Sequence, residues 1–266
     1  AVAGSADGAE PVSALHLDID GPLATLRLDN PAKLNVLNVE MLAALDAHCA
    51  DLERNSGIRV VLLTATGERA FCVGADINEW SKLTPTGLAR NWVRDGHRII
   101  DRLARLAIPT IAVLNGHAFG GGLELAAACD IRIMAPHATL GLPEAGIGVV
   151  PGWSGTQRLR RLLPEAALKE MALFGRRLSA GRALALGLVA EVSDNPLDTA
   201  KSIAQASLSQ SPRATEIAKY MIHAGAGEDR AANIEALAGG MIAATDDKFE
   251  GVQAFAEKRE PNFSGS

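Results

Sequence analysis

Apolar and polar residues alternate in some parts of the chain and follow a helical spacing in others, which predicts where its strands and helices lie. The alternation over Ala14–Leu28 turns at Gly21-Pro22 and predicts a β-hairpin. Asn38 is placed to cap a helix that runs to about Asn55. Val60–Ala65, apolar until Thr64, and the apolar run Thr110–Leu114 predict buried strands, and Ile131–Met134 gives the next strand.

Helices are predicted between and after these strands. One covers Thr86–Ala107, and a shorter one opens at Gly120–Gly122 and runs through Ala128. Because strands alternate with helices, we expect an α/β fold whose parallel sheet has right-handed crossovers. Later helical spacing covers Gln157–Leu163, Glu165–Phe174, Ser179–Leu186, Leu197–Leu208, Pro212–Ala224, Asp229–Ala244 and Lys248–Arg259. The predicted organisation is a flexible tail over 1–13, an α/β core over 14–195 and a helical C-terminal region over 196–266.

Length, composition and charge narrow the class of protein. The chain has 266 residues and is 48% hydrophobic, so it can bury a sizeable core. Its net charge of −5 lacks the basic excess that is typical of nucleic-acid-binding proteins. Its densest basic cluster, Arg158–Arg161, is interpreted as a solvated helix face. No apolar run reaches the ~20 residues that cross a bilayer. Neither nucleic acid nor a membrane is therefore expected as a partner.

Cysteine and histidine positions give no sign of a metal site. Cys49, Cys72 and Cys129 form no CxxC pair, and the histidines lack the spacing of metal ligands, so no metal is expected. Residues 1–10 have neither the basic nor the apolar part of a signal peptide. A cytoplasmic location is expected, with an organelle matrix after removal of a transit peptide as the alternative.

Two glycine-rich stretches fail to match nucleotide-binding and hydrolase motifs. In Gly116–Gly121 an alanine takes the place of the second glycine of GxGxxG, and no Gly-Lys-Ser/Thr follows. In Gly152–Thr156 the last glycine of GxSxG is missing. Ser154 is therefore not expected to act as a nucleophile.

Two other glycine-containing segments follow predicted strands and lead into helices. They are Phe71–Ile77 and Asn115–Glu124. Glycine bares backbone N–H groups at a helix start, where they have no intrahelical acceptor. Two such junctions can direct two N–H groups at one oxygen and form an oxyanion hole. Close packing of a helix on a strand is the alternative explanation of these glycines.

Two carboxylates stand near these junctions. Glu124 lies inside an apolar helical opening, and Glu144 follows the short run Thr139-Leu140. Either could serve in acid–base chemistry. Either could instead complement a helix dipole or cap the N–H groups of a first turn.

Several stretches of the sequence resemble the crotonase family, also called the enoyl-CoA hydratase/isomerase family. They occur in the family's order and are NPAKLNVL (30–37), AFCVGADINEW (70–80), NGHAFGGGLELAAACD (115–130), GLPEAGIGVVPGWSGTQRL (141–159) and FEGVQAFAEKREPNF (249–263). The resemblance is strongest to the enoyl-CoA hydratases. It implies a crotonase-like core of ββα repeats, with C-terminal helices that pack between the subunits of a homotrimer or a dimer of trimers.

The resemblance also implies an activity and roles for individual residues. The activity is addition of water to a 2-enoyl-CoA thioester, a reaction of fatty-acid and other catabolism. The N–H groups of Ala75 and Gly121 would hold the thioester carbonyl, and Glu124 and Glu144 would activate water. Implied contacts to coenzyme A and the acyl chain fall at Lys33, Leu34, Ala75, Asp76, Ile77, Asn78, Gly121 and Trp80. Gly152 matches a backbone position of the substrate site near the catalytic water. Coenzyme A would be part of the substrate, with no separate cofactor.

Several alternatives remain at this point. The chain could be an enoyl-CoA isomerase or a specialised hydroxyacyl-CoA dehydratase, or a non-catalytic RNA-binding or scaffold protein. The indoles of Trp80 and Trp153 could shorten the acyl tunnel and favour short or branched chains, or they could simply fill the core.

Overall fold

Two β-sheets and a series of helices are built from the residues that the computed structural model describes, 14–266. The predicted tail over 1–13 lies outside these residues. The strands are β1 (Ala14–Asp20), β2 (Leu23–Asp29), β3 (Val60–Ala65), β4 (Ala70–Cys72), β5 (Thr110–Leu114), β6 (His117–Phe119), β7 (Ile131–Met134), β8 (Thr139–Gly141), β9 (Leu178–Ser179) and β10 (Glu191–Val192). The hairpin and the three buried strands predicted from the sequence are confirmed.

Helices follow the strands in the order expected of an α/β chain. They are α1 (Val39–Arg54), α2 (Ile77–Trp80), α3 (Pro85–Gly87), α4 (Arg94–Arg105), α5 (Gly121–Ala127), α6 (Gly155–Leu162), α7 (Glu165–Phe174), α8 (Ala180–Ala185), α9 (Pro196–Ser207), α10 (Pro212–Gly225), α11 (Arg230–Ala243) and α12 (Asp246–Glu257). The Asn38 side chain caps α1 by accepting a hydrogen bond from the backbone N–H of Met41, as predicted. A π-helical segment, Leu88–Val93, joins α3 to α4.

The larger sheet has the strand order β1-β2-β3-β5-β7-β10. Only its β1–β2 hairpin pair is antiparallel among the pairs described, and the other neighbours run parallel. Both faces of β3 are covered, since Val61 and Leu63 belong to one apolar cluster and Val60 and Leu62 to another. Burial on both faces explains why the sequence of β3 is apolar without alternation.

A second, four-stranded sheet has the order β4-β6-β8-β9 and was missed by the sequence analysis. Its strands β4, β6 and β8 have three residues each, and β9 has two. Such short strands carry no readable alternation. The sheet inserts β4 and β6 between the long parallel strands and the helices that follow, and it brings the two predicted junctions side by side.

The chain divides into two compact units, one through Ser209 and one over Gln210–Ser266. Helix α9 belongs to the first unit because Ala200 and Ala204 are buried in the cluster formed by the second face of the larger sheet. The predicted C-terminal region, 196–266, therefore starts one helix before the second unit. Within the second unit, Arg259 pairs with Glu250 and Glu257 at 2.6 and 2.7 Å.

Every helix in the part of the chain that the structure describes is too short or too polar to cross a membrane.

Candidate active site

The two junctions predicted from the sequence lie next to each other. Ala75 follows β4 and Gly121 begins α5. A β-carbon placed on Gly121 would lie 3.6 Å from the Ala75 amide nitrogen, and one on Gly74 would lie 3.7 Å from the Gly121 amide nitrogen. Within residues 14–266, neither the Ala75 nor the Gly121 N–H has a hydrogen-bond acceptor. Two adjacent, unpaired N–H groups form an arrangement that can bind one oxygen.

The Gly121-Gly122 pair combines both explanations that the sequence left open. A β-carbon on Gly122 would lie 2.1 Å from the carbonyl oxygen of Cys72, so glycine here allows α5 to pack on β4. A β-carbon on Gly121 would lie 2.7 Å from the ring of Trp153. Gly122 therefore allows the close packing of α5 on β4, and Gly121 provides the N–H group of the second junction.

Glu124 is held by the turn that precedes α6. The side chain is 2% exposed, and its Oε1 accepts hydrogen bonds from the N–H groups of Trp153 at 2.8 Å and Gly155 at 2.7 Å. Burial raises the pKa of Glu124, while these backbone donors oppose the rise by stabilising the carboxylate. Glu124 therefore does not cap its own helix, and its carboxylate form has two fixed donors.

Glu144 starts the short 3₁₀ helix Glu144–Ile147 that follows β8. Its side chain is 9% exposed, and its Oε2 is buried without a hydrogen-bond partner among the residues described. Burial, together with the charge of Glu124, raises the pKa of Glu144 to about 7. The two carboxyls thus differ in their hydrogen bonds, since Glu124 accepts from two fixed backbone N–H groups and the Glu144 Oε2 has no partner among the residues described.

Both carboxyls and both junctions line one cavity of about 700 Å³. Most of its wall is apolar, formed by Val73, Ile77, Trp80, Leu88, Trp92, Val93, Ile147, Val149, Val150 and Trp153. A predominantly apolar cleft with a few converging polar groups is typical of a small-molecule site.

The structure places most of the predicted site residues at this cavity. Those that line it are Ala75, Ile77, Trp80, Gly121, Glu124, Glu144, Gly152 and Trp153. Lys33, Leu34, Asp76 and Asn78 do not line it. Leu34 nevertheless lies beside the first junction, because its carbonyl accepts a hydrogen bond from the N–H of Val73 at 3.3 Å. Asp76 caps α2 by accepting from the N–H of Asn78 at 2.9 Å.

Sequence reasoning missed the residue that fixes the loop before α1. Asn35 is 1% exposed, and its amide accepts from the N–H of Asn30 at 2.8 Å and donates to the carbonyls of Thr66 and Ala70 at 3.0 and 2.8 Å. These bonds hold the loop that carries Lys33 and Leu34 against the first junction. The signal available was an asparagine in a segment bounded by turn residues.

Arg158 was assigned to a solvated face, and the structure shows that this was wrong. Its side chain is 4% exposed, pairs with Asp101 at 2.8 Å and donates to the carbonyl of Trp153 at 3.1 Å. Only Arg160 and Arg161 of the basic cluster are exposed. Arg158 therefore supports the turn whose N–H groups bind Glu124.

A further partnership that the sequence did not reveal joins Ser154 to His97 by a hydrogen bond between Oγ and Nδ1. His97 stands on α4, far from Ser154 in sequence, and both residues line the cavity.

The sequence profile of the family described as enoyl-CoA hydratase/isomerase matches residues 18–266. The chain belongs to this family. A Bacillus subtilis protein described as an enoyl-CoA hydratase/isomerase is 42% identical over 252 residues, covering 91% of this chain and 95% of its own. The short-chain-enoyl-CoA hydratase of Clostridium acetobutylicum is 37% identical over 248 residues, covering 92% and 95%. The crystal structure of an enoyl-CoA hydratase from Bacillus anthracis is 35% identical with a TM-score of 0.78, covering 95% of this chain and 99% of that one.

Membership in the enoyl-CoA hydratase/isomerase family confirms the resemblance seen in the sequence, and the structural match confirms the crotonase fold. The residues described here contain no group of three or more side chains able to hold a metal ion.

The folding stability of the chain is expected to depend on pH through the Glu144 carboxyl. Its pKa is raised from 4.5 to about 7, so the folded state holds the proton more tightly than the unfolded state. The resulting stability is complete below pH 4.5 and is lost as the pH rises through about 7. Glu144→Gln has no carboxyl at this position and does not lose this stability. The free energy of unfolding of the variant, relative to that of the parent chain, is therefore expected to rise by about 1–2 kcal/mol from pH 5 to pH 8. Urea unfolding at both pH values checks this, with the exposed Glu40→Gln as control. A parent–variant difference that stays constant with pH would contradict it.

Proposed function

We propose that this chain is an enoyl-CoA hydratase that adds water across the double bond of a 2-enoyl-CoA thioester to give the 3-hydroxyacyl-CoA. The observation that carries the proposal is the pair of dissimilar buried carboxyls, Glu124 and Glu144, on the same cavity as two backbone N–H groups that have no acceptor within residues 14–266. A hydration needs both a base for water and an acid for the α-carbon, together with a site for the developing oxyanion.

Charge develops on the thioester oxygen when water attacks the double bond. The N–H groups of Ala75 and Gly121 would stabilise this enolate oxygen more strongly than the ground-state carbonyl, which lowers the barrier. Because they are fixed by β4 and α5, they need no reorganisation during the reaction.

Two protons move, one to Glu124 and one from Glu144. Glu124, whose carboxylate form is supported by two backbone donors, would take a proton from the attacking water as its oxygen bonds to the β-carbon. Glu144, with its raised pKa, would give its proton to the α-carbon. Gly152 lines the cavity next to the Glu124-binding turn, which fits a backbone contact near the water. Since the two carboxyls interact, their titration belongs to the pair.

The coenzyme A portion would lie across the first junction. Lys33 and Leu34 from the loop before α1, and Asp76, Ile77 and Asn78 at the start of α2, are proposed to contact it. Lys33, Ile77 and Asn78 are exposed, as expected of residues that contact the large polar coenzyme A portion of the substrate. Coenzyme A is then part of the substrate, and no further cofactor is proposed.

Short acyl chains are the proposed substrates. Trp153 is 2% exposed, packs in the large apolar cluster and also lines the cavity, while Trp80 is half-buried on the same wall. Indoles at these positions occupy volume that a long chain would need.

The first test follows the loss of the conjugated thioester of crotonyl-CoA by ultraviolet absorbance. Conversion to 3-hydroxybutyryl-CoA is the expected result, with kcat/KM falling as the acyl chain lengthens to 2-decenoyl-CoA. The same assay with 3-hexenoyl-CoA tests the isomerase alternative, which moves a double bond without adding water. Isomerisation without hydration contradicts the proposal, and a higher kcat/KM for 2-decenoyl-CoA than for crotonyl-CoA contradicts the preference for short chains.

We also propose that the chain forms a homotrimer or a dimer of trimers through its C-terminal helices. Large apolar side chains of the second unit are exposed on the single chain, as expected of surfaces that pair with another subunit. They are Ile217, Met221, Ile222, Ile234, Met241, Ile242, Phe249, Val252, Phe255 and Phe263. A cytoplasmic location, or an organelle matrix, stays a prediction.

A further inference from the structure

The turn that holds Glu124 is centred on a residue in an unfavourable backbone conformation. Ser154 lies between Trp153 and Gly155, whose N–H groups donate to the Glu124 Oε1 at 2.8 and 2.7 Å. Its φ is 71° and its ψ is 16°, in the left-handed region that residues with a side chain seldom occupy. A left-handed residue within a turn directs the N–H groups on either side of it into one concavity that binds an anion. The conformation of Ser154 therefore sets the direction of both donors.

The turn lies in direct contact with Glu124, so its path cannot change freely. A β-carbon on Gly155 would lie 2.4 Å from Cγ and 2.7 Å from Oε1 of Glu124. Relaxation of Ser154 to a negative φ would rotate the peptide groups on its two sides relative to each other. The two hydrogen bonds to Glu124 would then be lengthened or lost.

The Ser154 side chain is held by another helix. It is 8% exposed, and its Oγ is hydrogen-bonded to Nδ1 of His97 on α4. Serine is common at a helix start because its hydroxyl caps the helix, yet the Ser154 hydroxyl makes no capping bond to α6. A hydroxyl can donate to a bare imidazole nitrogen or accept from a protonated one, so the bond can form in either state of His97. The hydroxyl thus connects the strained residue to α4.

Trp153 is fixed by contacts of its own. Its carbonyl accepts a hydrogen bond from the Arg158 side chain at 3.1 Å, and its indole Nε1 donates to the carbonyl of Trp92 at 3.3 Å. These bonds anchor the residue before Ser154 and do not involve the Ser154 side chain. The bond to His97 is therefore a separate restraint on the centre of the turn.

We propose that His97 is a positioning residue for Glu124, because its bond to the Ser154 hydroxyl keeps the turn before α6 in the left-handed conformation that presents two N–H donors to the carboxylate. This inference rests on the proposed function, in which Glu124 takes a proton from water.

The proposed restraint has a consequence for the charge of Glu124. Burial raises the pKa of Glu124, whereas the N–H groups of the turn and the charge of Arg158 lower it. Glu144 interacts with it across the same cavity. A turn released from His97 donates less well, so the pKa of Glu124 rises further and less carboxylate is present at a given pH.

The experiment changes both partners of the bond. His97→Leu removes it, and His97→Asn keeps a hydrogen-bonding atom on Cγ, where Nδ1 is attached. Ser154→Ala removes the hydroxyl but leaves a β-carbon at positive φ, whereas Ser154→Gly adopts the left-handed conformation without an anchor. His137→Leu is the control, because His137 is an exposed histidine that bonds the carbonyl of Glu68 at 2.9 Å and does not line the cavity.

The first readout is kcat/KM for hydration of crotonyl-CoA as a function of pH. It rises with pH as the base loses its proton, at an apparent pKa that belongs to the pair of carboxyls. His97→Leu and Ser154→Ala are each expected to move this rise up by at least about 0.5 pH unit and to lower kcat/KM about 3- to 10-fold below it, the effect of one hydrogen bond. His97→Asn and Ser154→Gly are expected to recover most of the loss, and His137→Leu to keep the parental profile.

The deciding comparison is His97→Leu in two backgrounds. With serine at position 154 it is expected to shift the profile, and in the Ser154→Gly chain it is expected to add less than about 2-fold, since glycine needs no anchor. An equal loss in both backgrounds would mean that His97 acts by contacting substrate or by packing, and it overturns the inference. A parental profile for His97→Leu also overturns it.

A titration without substrate keeps the inference testable if no hydration occurs. The carboxyl ¹³C signals of labelled glutamates are followed with pH by NMR, and the Glu124 signal is identified by its loss in Glu124→Gln. An apparent pKa that rises in His97→Leu with serine at position 154, but not with glycine, supports the positioning role even where the hydratase proposal has failed. A Glu124 titration that His97→Leu leaves unchanged overturns the role even where hydration is observed.

Discussion

Glu124→Gln and Glu144→Gln are each expected to lower kcat/KM for hydration of crotonyl-CoA at least about 100-fold without unfolding the chain. Glutamine keeps the size of the side chain but can neither take the proton of water nor give one to carbon. At Glu124 its carbonyl oxygen can still accept the N–H groups of Trp153 and Gly155, so the turn before α6 retains its support. The measurement is steady-state kinetics together with circular dichroism of each variant.

The double variant gives a sharper form of the same test. If the carboxyls act on one water as a unit, Glu124→Gln/Glu144→Gln loses little more than either single variant, because effects within a catalytic unit are not additive. Glu170→Gln is the matched control, since Glu170 is a partly buried carboxylate that pairs with Arg176 and Arg182 away from the cavity. Near-parental turnover by a folded single variant would show that the carboxyl concerned is not required.

Gly122→Ala is expected to destabilise the fold by at least about 3 kcal/mol or to prevent folding. Its β-carbon would lie 2.1 Å from the Cys72 carbonyl oxygen and 2.7 Å from the Cys72 carbonyl carbon. Both are backbone atoms, so no side-chain rotation relieves the overlap and α5 must move away from β4. That movement would also separate the N–H groups of Ala75 and Gly121, so any folded fraction is expected to be poorly active.

Gly181→Ala is the control for the helical glycine itself. Gly181 lies in α8 with nothing within 4 Å of an added β-carbon, so alanine is expected to be neutral or stabilising by up to about 1 kcal/mol. Urea unfolding followed by circular dichroism measures both variants. A Gly122→Ala variant within about 0.5 kcal/mol of the parent would show that α5 can move on β4 without cost, which close-packed interiors do not normally allow.

The sequence predicted those parts of the fold in which local pattern and tertiary environment agree. The hairpin, β3, β5 and β7 have long apolar or alternating runs, and α1 has both an apolar stripe and a side-chain cap. The second sheet could not be predicted because its strands are shorter than one detectable period. Its position depends on non-local pairing, such as that of Ala118 with Leu140.

The candidate site divides in the same way. Glu124 and Glu144 were identified because a carboxylate in an apolar segment is visible in the sequence. His97 and Arg158 were not identified because their contacts with Ser154 and Asp101 join helices that are distant along the chain. An arginine in a basic cluster has the same local pattern whether it faces solvent or a buried acid, and only the packing of α6 against α4 distinguishes the two.

The N–H groups of Ala75 and Gly121 that face the cavity belong to the main chain, so their existence does not depend on which side chain is attached. Any residue except proline retains them, provided the backbone path of β4 and α5 is unchanged. The rest of the cavity is shaped by side chains, and a single substitution can replace any of them. They include Trp80, Trp153, His97 and Ser154. Substitutions in the cavity wall can therefore change which acyl group is bound while the backbone donors that bind the oxyanion stay in place. A change of substrate then does not require a new catalytic mechanism.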